Sequence, residues 1–412
     1  MTFEVVDSVL RINVDMVTTV AVAALIFILG YFIKSKLSFL EKYCIPAPVV
    51  GAFLFMLLTW FGRGTNTFSF NFTTTLQAVF MLAFFTTIGL GASLSLLKKG
   101  GILLIVYWLI AGVVSILQNT IAVVIAPIIG LEHAYALLCA AISMIGGHGA
   151  AAAYGSTFEG VGYQGATLVG ASAATFGLIV AVIIGGPIAR RLVEKHNLKP
   201  DQTENFDTSV MNINVDTGQK LSGLDIMKNV AAILFCMGFG SMVSRWIGVA
   251  INMGFPDYVG AMFVAMIVRN LNEKVKAYKF DYPLTEKIGD VTLGLFLSMA
   301  MMVLRLWELA DMAGPMLIVL VLQVALMVAL IPLVFRILGK NYDAAVMCSG
   351  LIGHGLGATP SAIVNMSSVN DRYGMSRKAM MIVPIVGAFL VDIIYQPQTI
   401  WFISRFVQNL NP

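Results

Sequence analysis

The sequence predicts an all-α polytopic membrane protein built from two inverted five-helix repeats, each with a Gly-rich re-entrant segment. Three observations support this class. The 412-residue chain is 58% hydrophobic, and its mean hydropathy is +0.86. Only 12% of its residues are charged, against roughly 25% in an average soluble domain. Long apolar runs and a Gly-rich stretch recur in the same order in both halves.

Composition and motifs also exclude several function classes. The net charge of +4 is too small to indicate nucleic acid as a partner. The chain has no HExxH, GxxxxGK[ST] or GxSxG motif, so neither an enzyme nor a bound cofactor is predicted. Its four cysteines are far apart and form no CxxC pair, which argues against a disulfide framework. The acidic first 15 residues do not have the pattern of a cleavable signal peptide.

Ten apolar runs are long enough to predict helices that span the lipid bilayer. They lie at about 16–33, 46–62, 76–97, 102–129, 163–189, 224–251, 256–270, 288–306, 313–338 and 379–404.

Two further apolar stretches, at about 134–158 and 342–367, have Gly-rich middles that read SMIGGHGAAAAYGST and SGLIGHGLGATPSAIVNM. A lipid-facing helix gains nothing from so many glycines and a proline. Irregular backbone at membrane depth is tolerated only where protein buries it or where it lines a cavity. Both stretches are therefore predicted to be re-entrant or broken segments.

The distribution of lysine and arginine predicts the orientation. These residues cluster between spans 1 and 2, 3 and 4, and 7 and 8, after span 5, and around the second Gly-rich segment. By the positive-inside rule both termini lie outside. The first Gly-rich segment then enters from outside and the second from the cytoplasm. The polar stretch 194–222 becomes a cytoplasmic linker between an N-terminal repeat, 1–193, and a C-terminal repeat, 223–412.

The two halves echo each other. IGGHGAAA at 145–152 resembles LIGHGLGA at 351–358, IPAPVVGAFLFML at 45–57 resembles FPDYVGAMFVAMI at 255–267, and Gln118 recurs as Gln323. Each half has five spans, an odd number, so the second half inserts upside down. Many secondary transporters have such inverted repeats, with the binding site near the bilayer midplane.

The candidate binding residues are those of the two glycine turns and the polar residues inside apolar spans. A turn can be a site because it exposes backbone N–H and C=O groups to an ion or ligand; the alternative is a tight packing turn. The polar inserts either line the cavity or hydrogen-bond helices together. The candidates are Gly146, Gly147, His148, Gly149, Gly355, Gly357, Thr359, Pro360 and Asn365 at the turns, and Thr86, Thr87, Gln118, Asn119 and Thr175 in the spans.

Asp392 lies in the middle of the last predicted span, in GAFLVDIIY. A carboxylate at that depth is costly and usually functional, so it is predicted to be an ion or proton ligand. The alternative is a structural hydrogen bond to a neighbouring helix. Asp290 and Arg245 lie closer to span ends, where they can reach water.

The chain resembles the glutamate:sodium symporter family of bacterial inner membranes over roughly residues 40–400. The resemblance rests on several motifs taken together: IPAPVVGAFL (45–54), MLAFFTTIGL (81–90), LQNTI (117–121), GGHGAAAAY (146–154), ATFGL (174–178), GGPIAR (185–190), LGKNYDAAV (338–346), GLGATPSAIVNM (355–366) and VPIVGAFLVDI (383–393).

This resemblance implies electrogenic uptake of L-glutamate driven by the sodium gradient, with no cofactor besides the coupling ion. It also implies opposed re-entrant loops, a homodimer and an elevator-like moving part in the inner membrane. Asp392, Gly353 and Ser143 are then the expected sodium ligands. Two alternatives stay open: a carrier of another carboxylate, such as citrate or a 2-hydroxy acid, and an ion channel that uses the opposed loops as a filter.

Overall fold

The computed structural model describes residues 1–6, 9–38, 40, 45–93, 95–200, 222–251, 256–278, 280–303 and 313–407. Cys44, most of the predicted linker 194–222 and the end of the predicted span 288–306 lie outside the described residues.

Fourteen helices and three strands follow one another in the described part of the chain, and two of the helices are continued by π-helical turns. Their order is β1 (Thr2–Val6), β2 (Val9–Val14), α1 (Met16–Lys36), α2 (Ala47–Gly64), β3 (Phe68–Phe72), α3 (Leu76–Gly91), α4 (Ser95–Ile125), α5 (His133–Leu137) with a π-helical turn (Leu138–Ile142), α6 (Gly147–Gly160), α7 (Ala166–Lys195), α8 (Gly223–Ile251), α9 (Asp257–Val275), α10 (Tyr282–Met302), α11 (Ala313–Ile337), α12 (Tyr342–Tyr373), α13 (Arg377–Ile385) with a second π-helical turn (Val386–Leu390), and α14 (Val391–Phe406).

Each of the ten predicted spans coincides with a helix. Seven helical segments in the described residues are long and apolar enough to cross a membrane: α1, α2, most of α4, α7, most of α8, α11, and the stretch from α13 to α14. This count is lower than the predicted ten. Helix α3 is a shorter apolar helix, and α9 carries charges in its last turns.

A small sheet is the main departure from the predicted all-α class. β1 and β2 pair antiparallel, and β2 pairs parallel with β3. In β3, Phe68, Phe70 and Phe72 alternate with polar residues. They therefore lie on one face of the strand, where Phe70 stacks on Phe72 with ring centroids 5.6 Å apart. Strands of five or six residues gave too short a pattern to be recognised beside the long apolar runs.

The junction between the sheet and α1 is capped by Asp15. Its carboxylate accepts the Thr18 N–H at 3.0 Å and the Thr18 hydroxyl at 2.7 Å, as an N-cap residue does. These bonds, together with the nearby N-terminal ammonium, hold the pKa of Asp15 well below its usual range. The cap fixes the point at which α1 begins.

The first Gly-rich segment folds as a helical hairpin. α5 and its π-helical turn form one limb and α6 forms the other; both limbs lie along α7. The Tyr163 ring, just beyond the hairpin, contacts Tyr135 on the first limb at 5.8 Å and Phe158 on the second at 6.1 Å. The two limbs therefore begin and end at the same end of the hairpin. Gly147, with φ of 63°, lies at its tip.

The second Gly-rich segment, α12, is also a hairpin. Its backbone is non-helical at 357–358, and the chain reverses there. The Tyr342 hydroxyl at its start donates to the Gly374 carbonyl just past its end. A Cβ on Gly353 would lie 2.4 Å from the Cα of Ala362, so the two limbs touch backbone to backbone. Each Gly-rich segment thus places its glycine turn at one end and its two chain ends at the other.

The helices pack as two groups. α1, α2, α3, α8, α9 and α10 pack mainly on one another and form the flanking group. α4, the two hairpins, α7, α11, α13 and α14 pack mainly on one another and form the hairpin group. The groups meet chiefly where α10 touches α6 and where α3 touches the second π-helical turn. Each half of the chain contributes its first three helices to the flanking group and the rest to the hairpin group.

Glycines bring the first two helices of each half into close contact. A Cβ on Gly30 of α1 would lie 1.9 Å from the Ala47 carbonyl oxygen of α2. A Cβ on Gly240 of α8 would lie 2.3 Å from the Cα of Ala261 of α9. Such close approach of backbones is typical of small residues at membrane helix crossings. Moreover, α2 and α9 both begin directly after a proline, Pro46 and Pro256.

Candidate functional site

The two hairpin tips meet. A Cβ built on Gly147 would lie 3.2 Å from the Cβ of Ala358. Both residues have a positive φ, 63° and 64°; this conformation suits glycine and is strained for alanine. The two Gly-rich sequences therefore touch at residues whose backbone is not helical.

Helices α4, α7 and α11 hold the second tip. The Gln118 Nε2 donates to the Gly355 carbonyl at 2.7 Å, and the Gln323 Nε2 donates to the Gln118 carbonyl at 3.2 Å. A Cβ on Gly177 of α7 would lie 1.9 Å from the Leu356 carbonyl oxygen. The two glutamines at matching places in the halves thus join α4 to α11 beside this tip.

His148 and Thr175 come together as predicted candidates. The His148 Nε2 lies 2.9 Å from the Thr175 hydroxyl, which itself donates to the Ala171 carbonyl at 2.9 Å. The Thr175 hydroxyl therefore accepts a hydrogen bond from the His148 Nε2–H. Neighbouring Gly149 lies against α3, because a Cβ there would be 3.0 Å from the Phe84 ring.

Among the remaining second-tip candidates, Thr359 faces the second π-helical turn, next to His354. A Cβ on Gly387 would lie 2.4 Å from the Thr359 Oγ1 and 2.9 Å from the His354 Nδ1. Gly357 packs on α7, because a Cβ on this glycine would lie 3.0 Å from the Cα of Leu178. Pro360 begins the returning limb and is exposed.

Several candidates have packing contacts instead. Thr86 and Thr87 donate to carbonyls of their own helix, at 2.7 Å each, and Thr87 lies against Gly289 of α10. The Asn119 amide bonds to Gln398 and Thr399 of α14. Only the Asn119 bonds join two helices; the threonine hydroxyls bond within α3.

Asn365, Ser143 and Gly353 also fasten the hairpins. The Asn365 Nδ2 donates to carbonyls on α7 and on the opposite limb, at 3.0 and 3.2 Å. The Ser143 hydroxyl donates to the Gly170 carbonyl of α7 at 2.9 Å. Gly355, beside this cluster, faces the flexible Met327 side chain, 2.6 Å from an added Cβ, and so has more room than Gly353 or Gly177.

Asp392 lies at the end of a chain of polar side chains. The Gln396 Nε2 donates to the Asp392 carboxylate at 3.4 Å, and the Tyr154 hydroxyl donates to the Gln396 Oε1 at 2.7 Å. The Tyr395 hydroxyl reaches the Ile142 carbonyl in the first π-helical turn, at 3.4 Å. The Tyr258 ring, from the flanking group, lies edge-on to Tyr154 at 5.7 Å.

Sequence reasoning missed these tyrosines and Gln396. One signal could have found two of them: Tyr395 and Gln396 follow Asp392 by three and four residues, which puts all three on one face of a helix. Tyr154 and Tyr258 gave no such signal, because only packing brings α6 and α9 to that face.

The comparison with known families decides the family of this chain. Residues 12–375 match the family model described as sodium/glutamate symporter. The chain belongs to the sodium/glutamate symporter family. Its members are transporters rather than enzymes, and the protein is therefore an integral membrane protein.

Relatives in this family match over nearly their whole length. The sodium/glutamate symporter of Haemophilus influenzae is 40% identical over 383 residues, which cover 91% of this chain and 94% of that protein. The sodium/glutamate symporter of Escherichia coli is 38% identical over 386 residues, 93% of this chain and 96% of that protein. Among solved structures, the sodium proton antiporter MjNhaP1 from Methanocaldococcus jannaschii aligns with 12% identity and a TM-score of 0.41, over 96% of this chain and 98% of that one.

Proposed function

We propose that this protein is a secondary active transporter that carries L-glutamate into the cell together with sodium ions. Membership of the sodium/glutamate symporter family supports the substrate and the ion. The observation that carries the proposal is the contact between the two glycine turns at Gly147 and Ala358. Interrupted helices that meet in this way present helix ends, with their partial charges, to a bound solute.

Unpaired polar atoms beside the second tip suit an amino acid. Within the described residues, both ring nitrogens of His354 and the Oε1 atoms of Gln118 and Gln323 are buried without a hydrogen-bond partner. Such atoms are rare and costly. Glutamate has two carboxylates and one ammonium, so it needs both donors and acceptors. His354 and the tip N–H groups would contact a carboxylate, and the glutamine oxygens the ammonium.

The same region holds the sodium in this proposal. Sodium prefers oxygen ligands, which the Asp392 carboxylate and the carbonyls of the unwound turns offer; Gly353 and Ser143 complete the set that the sequence suggests. The mid-chain arginine Arg245 is 75% exposed and pairs with Asp257, so it does not balance the substrate. Sodium would supply that positive charge, and the two solutes would stabilise each other by roughly 1–3 kcal/mol.

The membrane arrangement follows from the order of the helices. We infer two inverted repeats, 1–193 and 223–412, in the inner membrane, with both termini outside and the linker 194–222 in the cytoplasm. The equal division of both halves between the groups and the proline-led α2 and α9 support the repeats. The hairpins then re-enter from opposite sides. An impermeant thiol reagent should fail to label a cysteine at Gln202 in intact cells, and efficient labelling would reverse the orientation.

The two groups suggest how access alternates. The hairpin group contains all the proposed ligands, and its contacts with the flanking group are restricted. We infer an elevator-type movement of the hairpin group against the flanking group. The flanking group would also provide the natural surface for a homodimer.

The decisive experiment is uptake of labelled L-glutamate by proteoliposomes with and without an inward sodium gradient. We expect saturable uptake that requires the gradient. Competition by L- and D-aspartate but not by citrate would separate this function from transport of another carboxylate. Unitary currents without saturable uptake would instead identify a channel.

A further inference from the structure

A second site, far from the hairpin tips, lies at the other end of the hairpin group. A cavity of about 630 Å³ opens between the last turns of α7 and the end of the second limb of α12. Four cationic side chains and one carboxylate line it, so its net charge is +3. Arg190, Arg191, Lys195 and Glu194 come from α7, and Arg372 comes from α12.

Most of this positive charge is uncompensated. Glu194 accepts the Arg190 Nε–H at 2.9 Å and the Tyr373 hydroxyl at 2.7 Å. Arg191, Lys195 and Arg372 form no ion pair with any residue in the described part of the chain. Arg191, Lys195 and Arg372, from two different elements, therefore converge on a cavity whose one carboxylate, Glu194, pairs with Arg190.

The length of α7 and the charges in its last turns are consistent with a cavity at the depth of the lipid headgroups. α7 has 30 residues and is about 45 Å long, whereas the hydrocarbon core is about 30 Å thick, so its last turns project beyond the core. Ile183, Pro187 and Arg191 follow one another at intervals of four residues and are all exposed. They form one face of α7 that runs from the acyl region into the cavity.

We propose that this cavity binds the phosphate of an anionic phospholipid, with the acyl chains along the Ile183 and Pro187 face. Arg191, Lys195 and Arg372 would contact the phosphate, because basic pockets between membrane helices recognise such headgroups. Arginine offers paired donors to phosphate oxygens. A soluble anion would gain nothing from the apolar face that leads into the site, which favours the lipid as the source of the phosphate.

The test measures lipid binding to the purified, delipidated full-length protein. Native mass spectrometry records the lipid-bound fraction during titration with phosphatidylglycerol. Arg191→Gln with Arg372→Gln should weaken binding by about 25-fold, since each cation that contacts the headgroup contributes about fivefold. The matched control is Arg336→Gln with Lys340→Gln, which removes the same charge outside the cavity. Those residues follow Phe335, whose ring packs on His196 next to the end of α7. The control should change binding less than twofold.

Folding and ligand identity are checked separately. Arg191→Lys with Arg372→Lys should retain most of the binding, and an unchanged thermal midpoint would show that the glutamine variant is folded. Phosphatidylcholine with the same acyl chains should bind at least tenfold more weakly. Equal binding of phosphatidylcholine, or an equal loss in the control, would overturn the proposal. Competition by inorganic phosphate at the same concentration as the lipid would assign the cavity to a soluble anion and overturn the lipid assignment. None of these measurements involves transport.

Discussion

At the scale of single residues, a glycine can be required for its backbone conformation or for the space that its missing side chain leaves, and the sequence alone does not distinguish these two reasons. Gly147 must adopt a positive φ and must also leave room for Ala358. Gly130 has a similar φ of 69° but nothing within 4 Å of an added Cβ. Substitutions at Gly147 and Gly130 therefore distinguish the effect of backbone strain from the effect of a side chain placed between the tips.

We predict that Gly147→Val abolishes glutamate uptake, whereas Gly130→Val retains most of it. Both variants bear the same cost of a side chain at positive φ, roughly 1–2 kcal/mol, but only the first places methyl groups between the two tips. Initial uptake rates, normalised to the amount of protein in the membrane, measure the difference. Near-normal uptake by Gly147→Val would mean that the tips do not form the site.

Asp392 gives a second prediction at this scale. Asp392→Asn removes the proposed sodium ligand while keeping the shape of the side chain. We expect the sodium concentration for half-maximal uptake to rise at least tenfold, with glutamate affinity falling mainly when sodium is limiting, because the coupling is reciprocal. Asp290→Asn, which changes an exposed carboxylate in α10, should leave the sodium dependence unchanged. An identical sodium titration for wild type and Asp392→Asn would make Asp392 structural.

At the scale of elements, α7 is the surface on which both hairpins are assembled. It contacts the limbs of the first hairpin through Gly170 and Thr167, and the second hairpin through Gly177 and Gly185. The backbone of the second hairpin lies directly on Gly177. Elsewhere on the same two helices the contact is looser, because a Cβ on Gly186 would lie 3.8 Å from the Ser368 Oγ.

This difference predicts opposite signs for the same substitution. Gly186→Ala should raise the thermal midpoint or leave it unchanged, because alanine is favoured over glycine in a helix by about 1 kcal/mol. Gly177→Ala should lower the midpoint by several degrees and impair uptake, because its Cβ would meet the Leu356 carbonyl at 1.9 Å. Thermal unfolding of both variants in one detergent provides the measurement. A stabilising effect of Gly177→Ala would show that α7 and α12 are not in this contact.

At the scale of the whole molecule, the two groups can be tested for relative movement. Gly149 of the hairpin group lies against the Phe84 ring of the flanking group, 3.0 Å from an added Cβ. Gly294 lies against the Phe27 ring at 2.7 Å, but both of those residues belong to the flanking group. The two pairs are the same kind of contact, one between the groups and one within a group.

We predict that a reducible cross-linker between cysteines at positions 84 and 149, in a background without the native cysteines, blocks uptake until it is reduced. The same cross-linker between positions 27 and 294 should leave uptake intact. Recovery on reduction separates locking of the movement from damage caused by the substitutions themselves. Uptake that continues with the first pair fully cross-linked would exclude movement between the groups.

The helix pattern and the glycine turns were readable from the sequence, for physical reasons. Ten apolar runs coincide with helices because lipid leaves no other way to satisfy the backbone. The glycines at 146–149 and 353–357 were recognisable because a lipid-facing helix does not need them. Gln118 and Gln323, which occupy matching positions in the two halves, are joined by a hydrogen bond beside the second tip.

Only the tertiary structure shows which candidate residues lie close together. Thr86 and Thr87 have the polarity of ligands but donate within their own helix, and Asn119 joins α4 to α14. Tyr154 and Tyr258, in contrast, reach the surroundings of Asp392 from helices far apart in sequence. The small sheet, the division into two groups and the basic cavity at the end of α7 belong to the same class of fact. Hydropathy and spacing depend on neighbours along the chain, and these features depend on neighbours brought together by packing. The sequence by itself determined that the chain spans a membrane and where its helices break, and packing alone determined what meets at the breaks.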